Sequence, residues 1–427
     1  MNLWAFRFML WYICVMLVQP QNRFTFLWPL QIADLSFVGA VGLHILSTME
    51  VKLPIVRFGA ATNLAILLLV FAMIAQNFGV CQPSNAWNPF IDIIVKNAAL
   101  LILAEAMMLT VARVWAVQMV MLFATLWWVK GGLRLSAVGA TSSGDRLMGA
   151  AVSLIENPNG FAYMMCVFLP IYLYAFQQAP KKWIKIFFLA CALASIYIIF
   201  QTGSRTGLVT LIVMGLFLVP YYGRNHLKGL LAIVVAVFLL YPLSGEGNMK
   251  RFRTIPESAR NFLSGKKIEK KSFLQMSQDE QSAHERQLKN QDTWGIIKEN
   301  LFFGVGINPT DFTAYVDRFP FGCEGQVHCE ILMVGKQMGL IGMGIYSGFL
   351  AIIFFGGRYC RKSMPDWPAV RDLGWTFQMQ AVAIAVGGSF SPMPWHAPMM
   401  ILAASASALM RIVKREQDAL KGRLMGL

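Results

Sequence analysis

The chain has 427 residues, of which 56% are hydrophobic and only 14% charged, and its mean hydropathy is +0.54. An ordinary soluble domain carries roughly 25% charged residues, so this composition excludes disorder and argues against a single soluble globular protein. It suits a chain whose main solvent is lipid. The net charge of +15 fits either a nucleic-acid partner or a record of membrane topology. The positions of the charges decide between them.

About twenty apolar residues cross a bilayer core as a helix. Roughly twelve such stretches occur, near 3–18, 24–47, 55–77, 89–109, 111–129, 160–178, 183–201, 204–221, 227–244, 328–356, 372–389 and 395–412. The first contains Arg7 and the second Asp34. No cleavable signal peptide is expected, because the N-terminus lacks a basic n-region and hydrophobic spans continue along the chain. The fold expected is an all-α polytopic membrane protein. Its parts are nine spans over 1–244, a long polar loop over 245–327, and three spans with a basic tail over 328–427.

With the N-terminus in the cytoplasm, seventeen Lys and Arg fall in the inside segments and five in the short outside ones. Those five are Arg23, Lys130, Arg134, Arg146 and Arg205. This asymmetry predicts twelve spans with both ends inside. The long loop holds twelve basic and eleven acidic residues, and it lies outside, where long loops escape the charge rule. KKIEKK (266–271) reads as a solvated charged face or tip. QMSQDEQSAHER (275–286), followed by WGIIKENL, has the periodicity of an amphipathic helix. Loops of this length commonly act as lids or binding elements.

The cysteines form no zinc-type cluster. Cys323 and Cys329 flank His328 on the outside, where disulfides are permitted. A bridge there would brace the histidine, and two free buried thiols are the alternative.

Ionisable groups near the outer membrane face carry the chemical information. Ser204 is a plausible N-cap in Gly203-Ser204-Arg205-Thr206-Gly207, which puts Arg205 in the first turn of the next helix. Phosphates bind at such positions, and a cation there calls for an anion. The plain alternative is an arginine snorkelling to the headgroups. Arg146 lies in a Gly/Ser-rich segment leading to Asn157-Pro158-Asn159 and a span. Irregular backbone at membrane depth lines polar cavities, although pairing with Asp145 would explain Arg146 equally well. Arg286 stands eighteen residues before Gly304 of a Gly304-Val305-Gly306 turn and, taken alone, is one loop cation among twelve. His328 sits at the start of the tenth span with Glu330 two residues on. A helix N-terminus favours the neutral imidazole, which suits a general base. The plain alternative is an interfacial polar residue.

Together these elements resemble the O-antigen ligase and polymerase superfamily of membrane glycosyltransferases. Ser204-Arg205-Thr206-Gly207 is similar to its SRxG element, and RQLKNQDTWGIIKENLFFGVG (286–306) to its Arg-to-GVG element. HCEILMVGKQMGLIG (328–342) is similar to its histidine element, and Arg146 with Gly149 and ENPNGFA (156–162) to its arginine-glycine element. Three positions depart from the pattern. Cys329 stands where the ligase motif carries Asn, Ser or Gln, Leu301 where proline is common, and Asn290 where a tryptophan is frequent.

The resemblance implies a GT-C-like helical fold in the bacterial inner membrane with its active site facing the periplasm. It implies a donor glycan carried on undecaprenyl diphosphate and an acceptor hydroxyl on lipid A-core, on another lipid-linked repeat (as in O-antigen or exopolysaccharide polymerisation) or on a protein. Arg146, Arg205 and Arg286 would bind the pyrophosphate, with Asn159 and Glu330 completing the substrate site. Arginine suits this task because it stays charged and bonds phosphate bidentately. His328 would take the acceptor proton, Arg205 and Arg286 would stabilise the leaving group, and neither a cofactor nor a separate metal is implied. No nucleic-acid partner is expected. The rival class is a secondary transporter, for which Asp34, Asp92, Lys96 and Glu105 are in-span charges. Against it, no internal repeat is evident, and the i,i+4 spacing of Asp92 and Lys96 allows mutual neutralisation.

Overall fold

The computed structural model describes residues 2–22, 24–51, 55–78, 90–137, 141–142, 146–149, 156–222, 248–249, 252, 278–307, 315–323, 327–391 and 393–424. Apolar segments in lipid must satisfy their backbone polar groups internally, which makes them helices. Among the described residues there are thirteen α-helices. They are α1 Asn2–Val18, α2 Ile32–Val51, α3 Ala60–Phe78, α4 Lys96–Met107, α5 Val111–Ala137, α6 Pro158–Gln178 and α7 Lys182–Gln201. The remainder are α8 Arg205–Tyr222, α9 Gln278–Glu299, α10 Pro320–Cys323, α11 Glu330–Ser363, α12 Pro368–Gly388 and α13 Ala397–Leu424. The strand content among the described residues is one short antiparallel ladder, β1 Thr141–Ser142 against β2 Arg146–Leu147.

Eight helical stretches are long and apolar enough to cross a membrane, so the chain is an all-α polytopic membrane protein. Of the four other predicted spans, 89–109, 204–221 and 372–389 hold the shorter or more polar helices α4, α8 and α12. The span at 227–244 and the KKIEKK segment lie outside the described residues. The amphipathic element of the loop is the single helix α9.

Two spans begin differently from expectation. Thr25–Leu30 is a 3-10 segment that ends at Gln31 with φ +40°, so α2 starts only at Ile32. Pro29 lies inside that segment, and its missing N–H and fixed ring prevent one continuous helix. The fourth span opens with a π-helical turn, Phe90–Val95, before α4.

α11 packs on α3, α9, α12 and α13, while α12 also packs on α6 and α8. The most apolar windows of α6 and α13 are 83% buried, against 28% for the stretch containing α2. The former therefore make the core and the latter faces outward. Helix-end contacts define one end of this bundle, the site end. There Arg146 meets Asn159 and Thr202, Tyr163 meets Glu330 and His396, and Gly388 closely approaches Glu330.

The in-span charges are paired. Lys96 Nζ lies 2.9 Å from Asp92 and 3.7 Å from Asp34. Glu105 is fully buried. It accepts from the Thr62 N–H and hydroxyl at 2.7 Å each and from the Ser407 hydroxyl at 2.5 Å. Arg411 donates to the Glu105 carbonyl at 2.7 Å. These bonds clamp α3, α4 and α13 together, which gives Glu105 a structural task.

Candidate functional site

The turn between α7 and α8 is built by its sequence. Gly203 has φ +58°, the left-handed conformation that ends helices. A Cβ there would stand 2.1 Å from Asn248 Oδ1. Ser204 then caps α8 as expected, its hydroxyl accepting from the Gly207 N–H at 3.2 Å. Gly207 has no side chain to separate α8 from α6, and a Cβ would be 2.7 Å from that of Ala162. Arg205 is consequently the first residue of α8, half-buried at the positive end of the helix dipole.

Arg146, on β2, is drawn onto this turn. Its Nε donates to the Thr202 carbonyl at 3.0 Å, and its Nη2 donates to Asn159 Oδ1 at 2.8 Å. Asn159 is in the first turn of α6, which Asn157 caps by accepting from the Gly160 N–H at 2.7 Å, with Pro158 at the first helical position. Two arginines distant in sequence thus share one neighbourhood. Asp145, the alternative partner, lies outside the described residues.

The Gly304-Val305-Gly306 turn docks into a break in α11. Met338 and Gly339 leave helical geometry there, Gly339 with φ +65°. The break frees carbonyls and N–H groups that the turn satisfies. Val305 N–H donates to Lys336 O at 2.8 Å, Gly306 N–H to Gln337 O at 3.2 Å, and Leu340 N–H to Leu301 O at 2.7 Å. Both glycines are obligatory here. A Cβ on Gly304 would stand 2.5 Å from the Gln337 carbonyl carbon, and one on Gly339 2.4 Å from Leu301 O. Lys336 Nζ adds a bond to Gly322 O at 2.6 Å, and Asp292 accepts from the Phe321 N–H at 2.9 Å. Gly304 and Gly306 of one motif and Gly339 of the other are therefore the two halves of one joint. Gly304→Ala pays about 1–2 kcal/mol for the left-handed backbone and also meets the Gln337 backbone. Hydrogen exchange over 300–307 should rise in this variant while exchange in α6 stays as in the parent chain.

That joint sets the height of α9 beside His328. Arg286, Lys289, Thr293 and Ile296 recur at helical spacing, and Thr293 and Ile296 are fully buried. His328 is half-buried just before α11. Burial pushes its imidazole down to about pKa 4, and the positive charges of Arg286 and Lys289 add to the shift. The histidine is therefore neutral at neutral pH, the form that accepts a proton. Cys329 caps α11 only with its backbone, its carbonyl accepting from the Met333 N–H at 2.9 Å. Its thiol is free, so no bridge joins it to Cys323.

Glu330 turns into the protein at 1% exposure. Its Oε2 accepts from the Tyr163 hydroxyl at 3.4 Å and from the Tyr346 hydroxyl. Tyr163 also bonds His396 Nε2 at 3.1 Å, and His396 Nδ1 accepts from the Met399 N–H at 3.1 Å. Tyr163 is one turn after Asn159, about 6 Å along the axis. The path from Arg146 through Asn159, Tyr163 and Glu330 therefore ends two residues from His328. Tyr163 and His396 escaped the sequence reading. For Tyr163 a signal existed, since it lies i,i+4 from Asn159 on a helix face. His396 gave none, because its partner is 233 residues away. Glu330→Ala would leave two buried tyrosine hydroxyls without this acceptor, at about 1–3 kcal/mol. A lowered thermal midpoint, largely restored by Glu330→Gln, is the expected result.

Among the described residues no group of His, Cys, Asp and Glu is arranged to hold a metal ion. No curated protein matches the chain significantly. Residues 189–347, which hold Arg205, Arg286, His328 and both halves of the glycine joint, match the family model described as O-antigen ligase. This match bears out the resemblance of the chain to the O-antigen ligase and polymerase superfamily of membrane glycosyltransferases.

Proposed function

We propose that the chain transfers a glycan from undecaprenyl diphosphate to an acceptor hydroxyl at the site end of the bundle, which faces the periplasm. The observation that supports this reading is that Arg146 bonds the turn just before Arg205, while Tyr163 of the neighbouring helix bonds Glu330, two residues from His328. Arg146, Arg205 and Arg286 bind the donor pyrophosphate, with Asn159 holding Arg146 in place. As the glycosidic bond to the phosphate breaks, charge grows on the departing diphosphate, and the arginines stabilise it. His328 removes the acceptor hydroxyl proton as the new bond forms. Glu330, which cannot reach solvent from its buried position, contributes by holding the start of α11.

The chemistry calls for anion stabilisation and one base, so the reaction needs no separate metal. Purified chain in nanodiscs should move glycan from an undecaprenyl-diphosphate donor to one of three offered acceptors: lipid A-core, a second lipid-linked repeat or a Ser/Thr peptide. EDTA should leave the rate unchanged. Absence of transfer to every acceptor, with donor bound, would reject the reading. The acceptor used separates ligase from polymerase and from protein glycosylation.

A further inference from the structure

The joint between the glycine turn and α11 leaves three consecutive apolar side chains uncovered. Leu301, Phe302 and Phe303 are 39%, 65% and 43% exposed. An exposed apolar run of this kind marks an interaction surface. Its neighbour identifies the partner. The Leu340 N–H donates to Leu301 O, so the turn lies against Leu340. Leu340 is itself exposed and begins an exposed stripe on α11 that continues through Gly344, Ser347 and Phe355 to Arg358. The spacing is that of one helix face, and α11 is a membrane-spanning candidate, so this stripe faces lipid.

Length then sets the depth. Eighteen residues separate Leu340 from Arg358, about 27 Å of helix at 1.5 Å per residue, close to the ~30 Å of a hydrocarbon core. Arg358 stands at one boundary of the core, where a charged side chain belongs. Leu340 consequently stands at the other, on the site side. Aromatic residues favour that level.

We propose that Leu301, Phe302 and Phe303 form a membrane anchor, inserted into the bilayer boundary beside Leu340. The anchor holds the α9 module, and with it Arg286, at the height of the lipid surface. This follows from the fold and does not depend on which glycan is moved.

The test replaces Phe302 or Phe303 with p-benzoylphenylalanine, and exposed Lys298 of the same module as the control. The full chain is irradiated in nanodiscs of phosphatidylethanolamine and phosphatidylglycerol. Because both positions already hold exposed aromatic rings, the label leaves the core intact. Phospholipid adducts at 302 and 303 should exceed those at 298 at least tenfold. Equal yields at all three positions, or crosslinks from 302 to a second copy of the chain, would overturn the proposal.

Discussion

Replacing Arg205 with alanine should weaken both donor binding and transfer. Truncating one partner of a buried charge pair costs about 2–5 kcal/mol, and each 1.4 kcal/mol is tenfold. A loss of roughly 30-fold to several thousand-fold in affinity for the diphosphate donor is therefore expected. Arg205→Lys should recover only part of it, because lysine keeps the charge but not the paired donors. The position makes this loss separable from misfolding. Arg205 is the first residue of α8, where the dipole opposes a cation. Alanine removes that opposition, worth about 0.3–1 kcal/mol, along with the interaction the guanidinium makes in the fold, so donor affinity should fall by far more than any change in the thermal midpoint accounts for. Isothermal titration and a melting curve on the same sample provide the check.

His328→Ala should give the complementary result. On the proposed mechanism, loss of the general base lowers the rate by about 10²–10⁴, and donor binding should persist because the arginines assigned to the pyrophosphate are untouched. The pH profile adds a second signature. Burial and the Arg286 and Lys289 charges lower the His328 pKa to about 4. The base form therefore predominates above that pH and is lost as pH falls through it. In the parent enzyme the acid limb of kcat/KM should lie near pH 4, well below the ordinary histidine value of ~6.5. An acid limb near 6.5 would assign the proton to another group.

Much of the scaffold was legible because lipid imposes simple rules. Apolar length located most of the spans. Ser204 announced its helix through capping chemistry that is local in sequence. The spacing of Asp92 and Lys96 foretold their ion pair. The irregular starts of α2 and α4 were harder to see. Thr25–Leu30 is apolar enough to count as span, and only Pro29 hinted at the interruption.

Single residues of the candidate site stood out in the sequence, but their connections did not. Nothing local pairs Gly304 with Gly339. Gly304 makes room for the backbone of Lys336 and Gln337, Gly339 for that of Leu301 and Phe302, and that reciprocity exists only once α11 breaks. Glu330 stood out for its position at a helix start, yet its partner Tyr163, and His396 behind Tyr163, are reached only through the packing of α6 and the turn before α13. Buried polar groups must find such partners, but sequence spacing does not say where they are.

The most direct test measures donor binding and single-turnover transfer together on purified parent, Arg205→Ala and His328→Ala chains in nanodiscs with an undecaprenyl-diphosphate glycan. The account predicts transfer by the parent, lost binding and lost transfer for Arg205→Ala, and retained binding with transfer down at least 100-fold for His328→Ala. Transfer at parental rates by both variants, at normal folded levels, would contradict it.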